Sequence, residues 1–338
     1  MTLAPPQPAI ALPPSITFDT ITLTTKPTAN LSITQVQGHE TSDIMVVFLN
    51  GLIAPQGPWL PIMALMLRHL GSSSAAPRPQ MLAYDRFGQG RTIDRDPLDS
   101  EPPGKEDGYG HDVMDSVRDL HQLITQVNTT TGKKKRRIVF IANSIGCAIA
   151  RIFATEYADT EEVAGILFLD SMMANSDFVD DIFPDPDTIT SPDTLPEDVT
   201  PEMLRETRDK FRATFHPSVK NAEGLDRRNL PLLLPHADKP FLERNDGKKM
   251  FITVVGHDPA KFEKESLEGS MRTPVAITRN YTNPKWKRYN EGLTKLTVPE
   301  RVTGVVIAKE CGHFIQMDDP GFVAKLACEL LERVGNDV

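Results

Sequence analysis

Apolar residues recur along this chain with two different periods, and the order in which the periods alternate defines the expected architecture. Ile16, Phe18, Ile21 and Leu23, then Leu31, Ile33 and Val36, spell two amphipathic strands separated by Lys26-Pro27-Thr28, an antiparallel start to a sheet. Apolar runs follow at 44–49, 138–141, 163–169, 251–255 (interrupted only by Thr253) and 305–308, the pattern of strands covered on both faces. Between them Val113, Val117, Leu120, Ile124 and Val127 recur at helical spacing and give one buried face to a helix over 112–127, with Asp112 as a first-turn acid. Asp319-Pro320 reads as the cap and first residue of a final helix. Strands alternating with helices imply parallel crossovers, so the expected class is α/β, a mostly parallel central sheet flanked by helices. Chemistry then belongs at the carboxyl ends of the strands.

From Ser171 to Lys249 the pattern changes. Met172, Met173 and Phe178 open a stretch that is rich in Pro and Asp from Asp180 to Pro201. A helix capped by Thr200 follows, with Leu204, Thr207, Phe211 and Phe215 on one face.

The most informative local feature is Ala142-Asn143-Ser144-Ile145-Gly146. It stands directly after the run Arg137-Ile138-Val139-Phe140-Ile141 and directly before the small-residue stretch Cys147-Ala148-Ile149-Ala150. Strand, tight turn and helix place the Ser144 hydroxyl above the sheet with helix N–H groups facing it, the geometry of a nucleophile elbow. A late apolar run ends in Lys309-Glu310-Cys311-Gly312-His313, which puts His313 on a loop able to reach the elbow as a base. The run at 44–49 ends in Asn50-Gly51-Leu52, where the N–H of Leu52, with that of Ile145, forms a candidate oxyanion hole.

With Tyr84-Asp85-Arg86-Phe87-Gly88-Gln89-Gly90, the strand 163–169 ending in Asp170-Ser171, and Gly312-His313-Phe314-Ile315-Gln316-Met317-Asp318, these motifs in this order resemble the α/β-hydrolase superfamily. The resemblance extends from about Ile44 to Leu331. The chain departs from it at Asn50 for histidine, Ala142 for glycine, Asn143 for histidine and Cys147 for glycine. The resemblance implies an α/β-hydrolase core over 16–170 and 250–338, a cap inserted over 171–249, and a short flexible N-terminal segment, 1–15.

It also implies a third triad member at one of two strand ends, Asp170 or Asp258. Asp258 lies only two residues past Gly256 and precedes Pro259, and the long stretch before the last strand resembles the subgroup whose acid follows the strand after the elbow. Asp170 is therefore preferred, with Asp258 the alternative and His257 a loop residue given no chemistry. The function implied is a serine hydrolase acting through Ser144, His313 and Asp170 on an ester, lactone or thioester of a moderately large apolar small molecule. Trp59, Met172, Met173 and Phe178 are candidate substrate contacts. Ser144 in place of aspartate argues against dehalogenase and epoxide hydrolase chemistry. The alternatives are an aminopeptidase-type enzyme, an acyltransferase, a lyase, or a ligand-binding receptor-like member.

Composition narrows the partners. A net charge of −9 disfavours nucleic acid, which requires a basic face, and the basic block Lys133-Lys134-Lys135-Arg136-Arg137 reads as a solvated loop. The three cysteines, Cys147, Cys311 and Cys328, lack metal spacing, so no metal and no cofactor is expected. No apolar run is long enough for a membrane span, and the proline-rich start lacks signal-peptide character, so the expected location is cytoplasmic. The sequence leaves the oligomeric state open.

Overall fold

The computed structural model describes residues 11–72, 77–100, 109–132, 136–191, 194–244 and 247–337. Residues 1–10 of the expected flexible segment lie outside that set, as do Lys133–Lys135. Strands β1 (Ile16–Thr22) and β2 (Asn30–Val36) pair antiparallel, as expected, though Phe18 is exposed and β2 buries Ser32 and Thr34 on its other face; β2 pairs antiparallel with β4 (Gln80–Tyr84). From β4 onward every pairing is parallel, through β3 (Ile44–Leu49), β6 (Arg137–Asn143), β7 (Glu162–Leu169), β9 (Phe251–His257) and β10 (Val302–Ala308). The eight strands lie in the order β1-β2-β4-β3-β6-β7-β9-β10.

The apolar runs of β3, β6, β7 and β9 are explained by two separate cores, one on each face of this sheet, whereas β10 is an edge strand and leaves Ile307 46% exposed, against the expectation that it is covered on both faces. In β3, Met45, Val47 and Leu49 face one core and Val46 and Phe48 the other; in β6, Ile138, Phe140 and Ala142 oppose Val139 and Ile141. Helices α2 (Val113–Thr130) and α3 (Ile145–Glu156) cover the first face, with Phe140 and Phe153 edge to face at 5.2 Å. Helix α1 (Trp59–Ser72) and the last helix, Pro320–Gly335, cover the second. Asp112 is the N-cap of α2 rather than a residue of its first turn. Its side chain accepts from the Asp115 N–H while Asp115 reaches back to the Asp112 N–H.

Two further sequence expectations are corrected here. Arg136 is buried and donates to Asn128 and Thr131, and Arg137 begins β6 with its guanidinium on Asp43, so neither is a freely solvated charge. Trp59 is 1% exposed, packed on Phe48, and donates from Nε1 to Asn50 Oδ1 at 2.7 Å. It braces a loop from behind and leaves the set of substrate contacts.

Between β7 and β9 the chain leaves the sheet. Helix α4 (Pro201–Thr214) is capped by Thr200, as its sequence requires, and buries Leu204, Thr207 and Phe211. A short parallel pair, β5 (His111–Asp112) with β8 (Leu225–Asp226), ties this segment to the body, and Arg151 on α3 donates to the carbonyls of His236 and Lys239.

Candidate active site

Ser144 has φ +55° and ψ −123°, between β6 and α3. A side chain in that region costs about 1–3 kcal/mol and persists only where the surroundings enforce it. Here Gly146 supplies the enforcement: a Cβ at Gly146 would come within 2.5 Å of the Leu49 carbonyl oxygen, so the start of α3 packs onto the end of β3 at backbone distance. Ala142 is fully buried in the first core, which absorbs its methyl group. Ile145 is the first residue of α3, and its N–H has no carbonyl within the helix to bond.

Asn143 holds the turn to its neighbours. Its Nδ2 donates to the Leu169 carbonyl at 2.9 Å and to the His313 carbonyl at 3.0 Å, and its Oδ1 accepts from Gln316 Nε2 at 3.0 Å. The loop carrying His313 is thereby fastened to the residue that precedes Ser144.

Asp170 follows β7, also at positive φ, +42°, and is fully buried. His313 Nδ1 lies 2.6 Å from Asp170 Oδ2. The other oxygen, Oδ1, accepts the backbone N–H of His257 at 3.2 Å and faces His257 Nδ1 at 2.9 Å. Burial works to raise the carboxyl of Asp170, but the charge and hydrogen bonds of His257 and His313 outweigh it and hold it below the usual carboxylate range. His257 shows the converse: burial works to lower it, and the Asp170 carboxylate, with Asn283 and Asp258, leaves it above its ordinary value. Asp258 is engaged elsewhere. It accepts the N–H of Glu310, which does most to lower its pKa, and caps the helix Pro259–Glu268 through Ala260 and Lys261.

The loop after β3 is clamped through its carbonyls. Arg86 donates to the Asn50 oxygen at 3.0 Å and the Gly51 oxygen at 2.9 Å, and Gln89 donates to the same Gly51 oxygen at 2.9 Å. A trans peptide points its N–H opposite to its C=O, so fixing the Gly51 carbonyl aims the Leu52 N–H away from Arg86. The same loop passes close to the serine: a Cβ on Gly51 would lie 3.3 Å from the Ser144 Cβ. Glu223, fully buried, completes the clamp with Arg86 Nε at 3.0 Å, Gln89 Nε2 at 2.7 Å and the N–H of Ile53.

Of the apolar candidates, Met172 donates its N–H to the Ser144 carbonyl at 3.3 Å and is 8% exposed, as is Phe178, which carries φ +65°. Met173 is 1% exposed within the first core. Cys147 is buried against the Ala142 carbonyl, and burial pushes its thiol far up, so it offers no nucleophile. Asn143, Arg86, Gln89 and Glu223 are residues of this site to which the motifs assigned no role, and His257, expected as a loop residue, is instead the buried last residue of β9, against Asp170. Arg86 and Gln89 stand inside the Tyr84–Gly90 motif, which was the available signal.

A parallel sheet with a strained serine at the strand-to-helix turn, and a histidine and carboxylate from later strand ends, defines the α/β-hydrolase class of fold. The sequence model described as the alpha/beta hydrolase family matches residues 46–326, and the chain belongs to that family. Among solved structures, a laboratory-evolved variant of potato epoxide hydrolase superposes with a TM-score of 0.55 at 15% identity, over 94% of this chain and 99% of that one. A haloalkane dehalogenase loop variant from Bradyrhizobium elkanii gives 0.52 at 13%, covering 95% and 98%. A putative lipase from Acinetobacter baumannii gives 0.50 at 12%, covering 96% and 93%. At these identities the likeness is one of fold. No curated protein sequence matches the chain.

Proposed function

We propose that this protein is a serine hydrolase that cleaves an ester, lactone or thioester of a moderately large apolar small molecule. The observation that carries the reading is the Asp170–His313 contact of 2.6 Å, with the His313 loop fastened to Asn143, the residue before a serine held at positive φ. Nδ1 of His313 is engaged with Asp170, so its Nε2 is the nitrogen left to take the Ser144 proton as the hydroxyl attacks a carbonyl carbon. The imidazolium that forms is stabilised by the carboxylate and then protonates the leaving group. Water, activated by the same ring, releases the acid from the acyl-enzyme. The N–H groups of Leu52 and Ile145 hold the oxyanion; loss of one such donor costs about 100- to 1000-fold in turnover.

Asp170 is the triad acid in this reading and Asp258 a helix cap. The segment 171–249 serves as the cap over the site, with Met172, Met173 and Phe178 as its candidate substrate contacts. Ser144→Ala is expected to abolish turnover of a p-nitrophenyl ester and labelling by a fluorophosphonate, with circular dichroism unchanged. Asp170→Asn should lower kcat by about 10⁴-fold and Asp258→Asn by far less. Undiminished turnover in Ser144→Ala would overturn the assignment.

A further inference from the structure

His257 stands where both of its ring nitrogens meet acceptors. Nδ1 faces the Asp170 carboxylate at 2.9 Å, and Nε2 faces Asn283 Oδ1 at 3.2 Å. The Asn283 amide cannot be turned round to offer a donor instead, because its Nδ2 already donates to the Pro259 carbonyl at 3.3 Å and to Glu263 Oε1 at 3.2 Å. A neutral imidazole carries one N–H and would leave one of these contacts as a repulsion between lone pairs. Only the imidazolium donates to both.

The groups packed around the ring agree. Phe262 stacks on it at 4.2 Å and Trp286 meets it edge-on at 5.5 Å, so neither supplies a competing cation. Asp258 adds negative charge from the next residue. Glu263 adds more through Asn283, shared with Arg279. Lys287 and Glu291, on the wall of a cavity of about 530 Å³ that borders His257, lie 3.8 Å apart as an opposed pair. His313 takes the second oxygen of Asp170.

Resting on the hydrolase reading above, we propose that His257 is a positioning residue that stands as a resident imidazolium, so that Asp170 is shared between a fixed cation and the catalytic ring. One proton sits on Nδ1 toward Asp170 and one on Nε2 toward Asn283, and neither is transferred in the reaction. Two consequences follow. The carboxylate is gripped at both oxygens and cannot rotate away from His313. The cation also offsets part of the carboxylate charge that His313 experiences, so the reaction retains its base into more acidic solution.

The test has two arms. In ¹⁵N-labelled wild type and Ser144→Ala at pH 7, long-range proton–nitrogen spectra should show both His257 nitrogens protonated; a ring with one bare nitrogen would overturn the proposal, whatever the activity. In His257→Gln, loss of the cation should move the acid limb of the kcat/KM profile for a p-nitrophenyl ester upward by about one pH unit. A limb that stays in place in a folded variant would also overturn it. Should the variant fail to fold, the spectra of the wild type decide alone. Failure of the hydrolase reading looks different: Ser144 would resist the fluorophosphonate while the His257 ring remained doubly protonated.

Discussion

At the scale of single residues, the site is made of side chains that hold backbone in place. Asn143 is the clearest case, since one buried amide joins β6, the end of β7 and the loop of His313. Asn143→Ala leaves two carbonyls and the Gln316 amide without that partner. It is expected to cost about 1–3 kcal/mol in chemical denaturation for each buried group left unsatisfied and to lower kcat more than it raises KM. Ser144, Asp170 and His313 were legible as positions because each follows an apolar run that ends in a turn. His257 and Glu223 were not, because what gives each of them meaning lies far along the chain. His257 meets Asp170 across 87 positions and Glu223 meets Arg86 across 137. A lone histidine beside Asp258, or a glutamate between Ala222 and Gly224, carries no local pattern from which such a partner can be inferred.

At the scale of elements, periodicity was a good guide where one element owns its own signal. The strands, the caps at Thr200 and Asp319, and the buried face of α2 all follow from the pattern of residues. It failed where an element is held by another. Arg137 opens the run of β6 but also ends a basic block that reads as solvated, yet Asp43 and the Val334 carbonyl hold its guanidinium. The same holds for the segment between β7 and β9, one of whose ties to the body is the buried Arg86–Glu223 pair. Glu223→Ala strands a buried guanidinium and releases the Ile53 N–H, so it should cost about 3–5 kcal/mol by urea denaturation. A variant as stable as wild type would show that the pair is replaceable.

For the whole molecule, the ionisable groups predict the shape of stability against pH. Asp170 and Asp258 have folded pKa values below their ordinary ones, so the stability they contribute is present above about pH 4 and lost as pH falls through the folded values. Asp119 runs the other way: burial, only partly offset by Lys26, raises it to about 6, so it weakens the fold increasingly as pH rises from about 4 to about 6 and ceases to do so below about pH 4. His257, raised above its ordinary value, contributes fully below about pH 6.5, and that contribution is lost as pH rises through the folded value. Scanning calorimetry should therefore place the highest Tm between about pH 4 and 6.5; a maximum at alkaline pH would contradict this account. The clamp around Arg86 bears on how such a molecule can change. Glu223 belongs to the segment between β7 and β9, yet it anchors the turn that follows β3, so a foreign segment spliced over 171–249 would have to bring its own acid to that spot. Without one, a transplant meant to alter only substrate choice would also loosen the amides that the proposed mechanism assigns to the oxyanion.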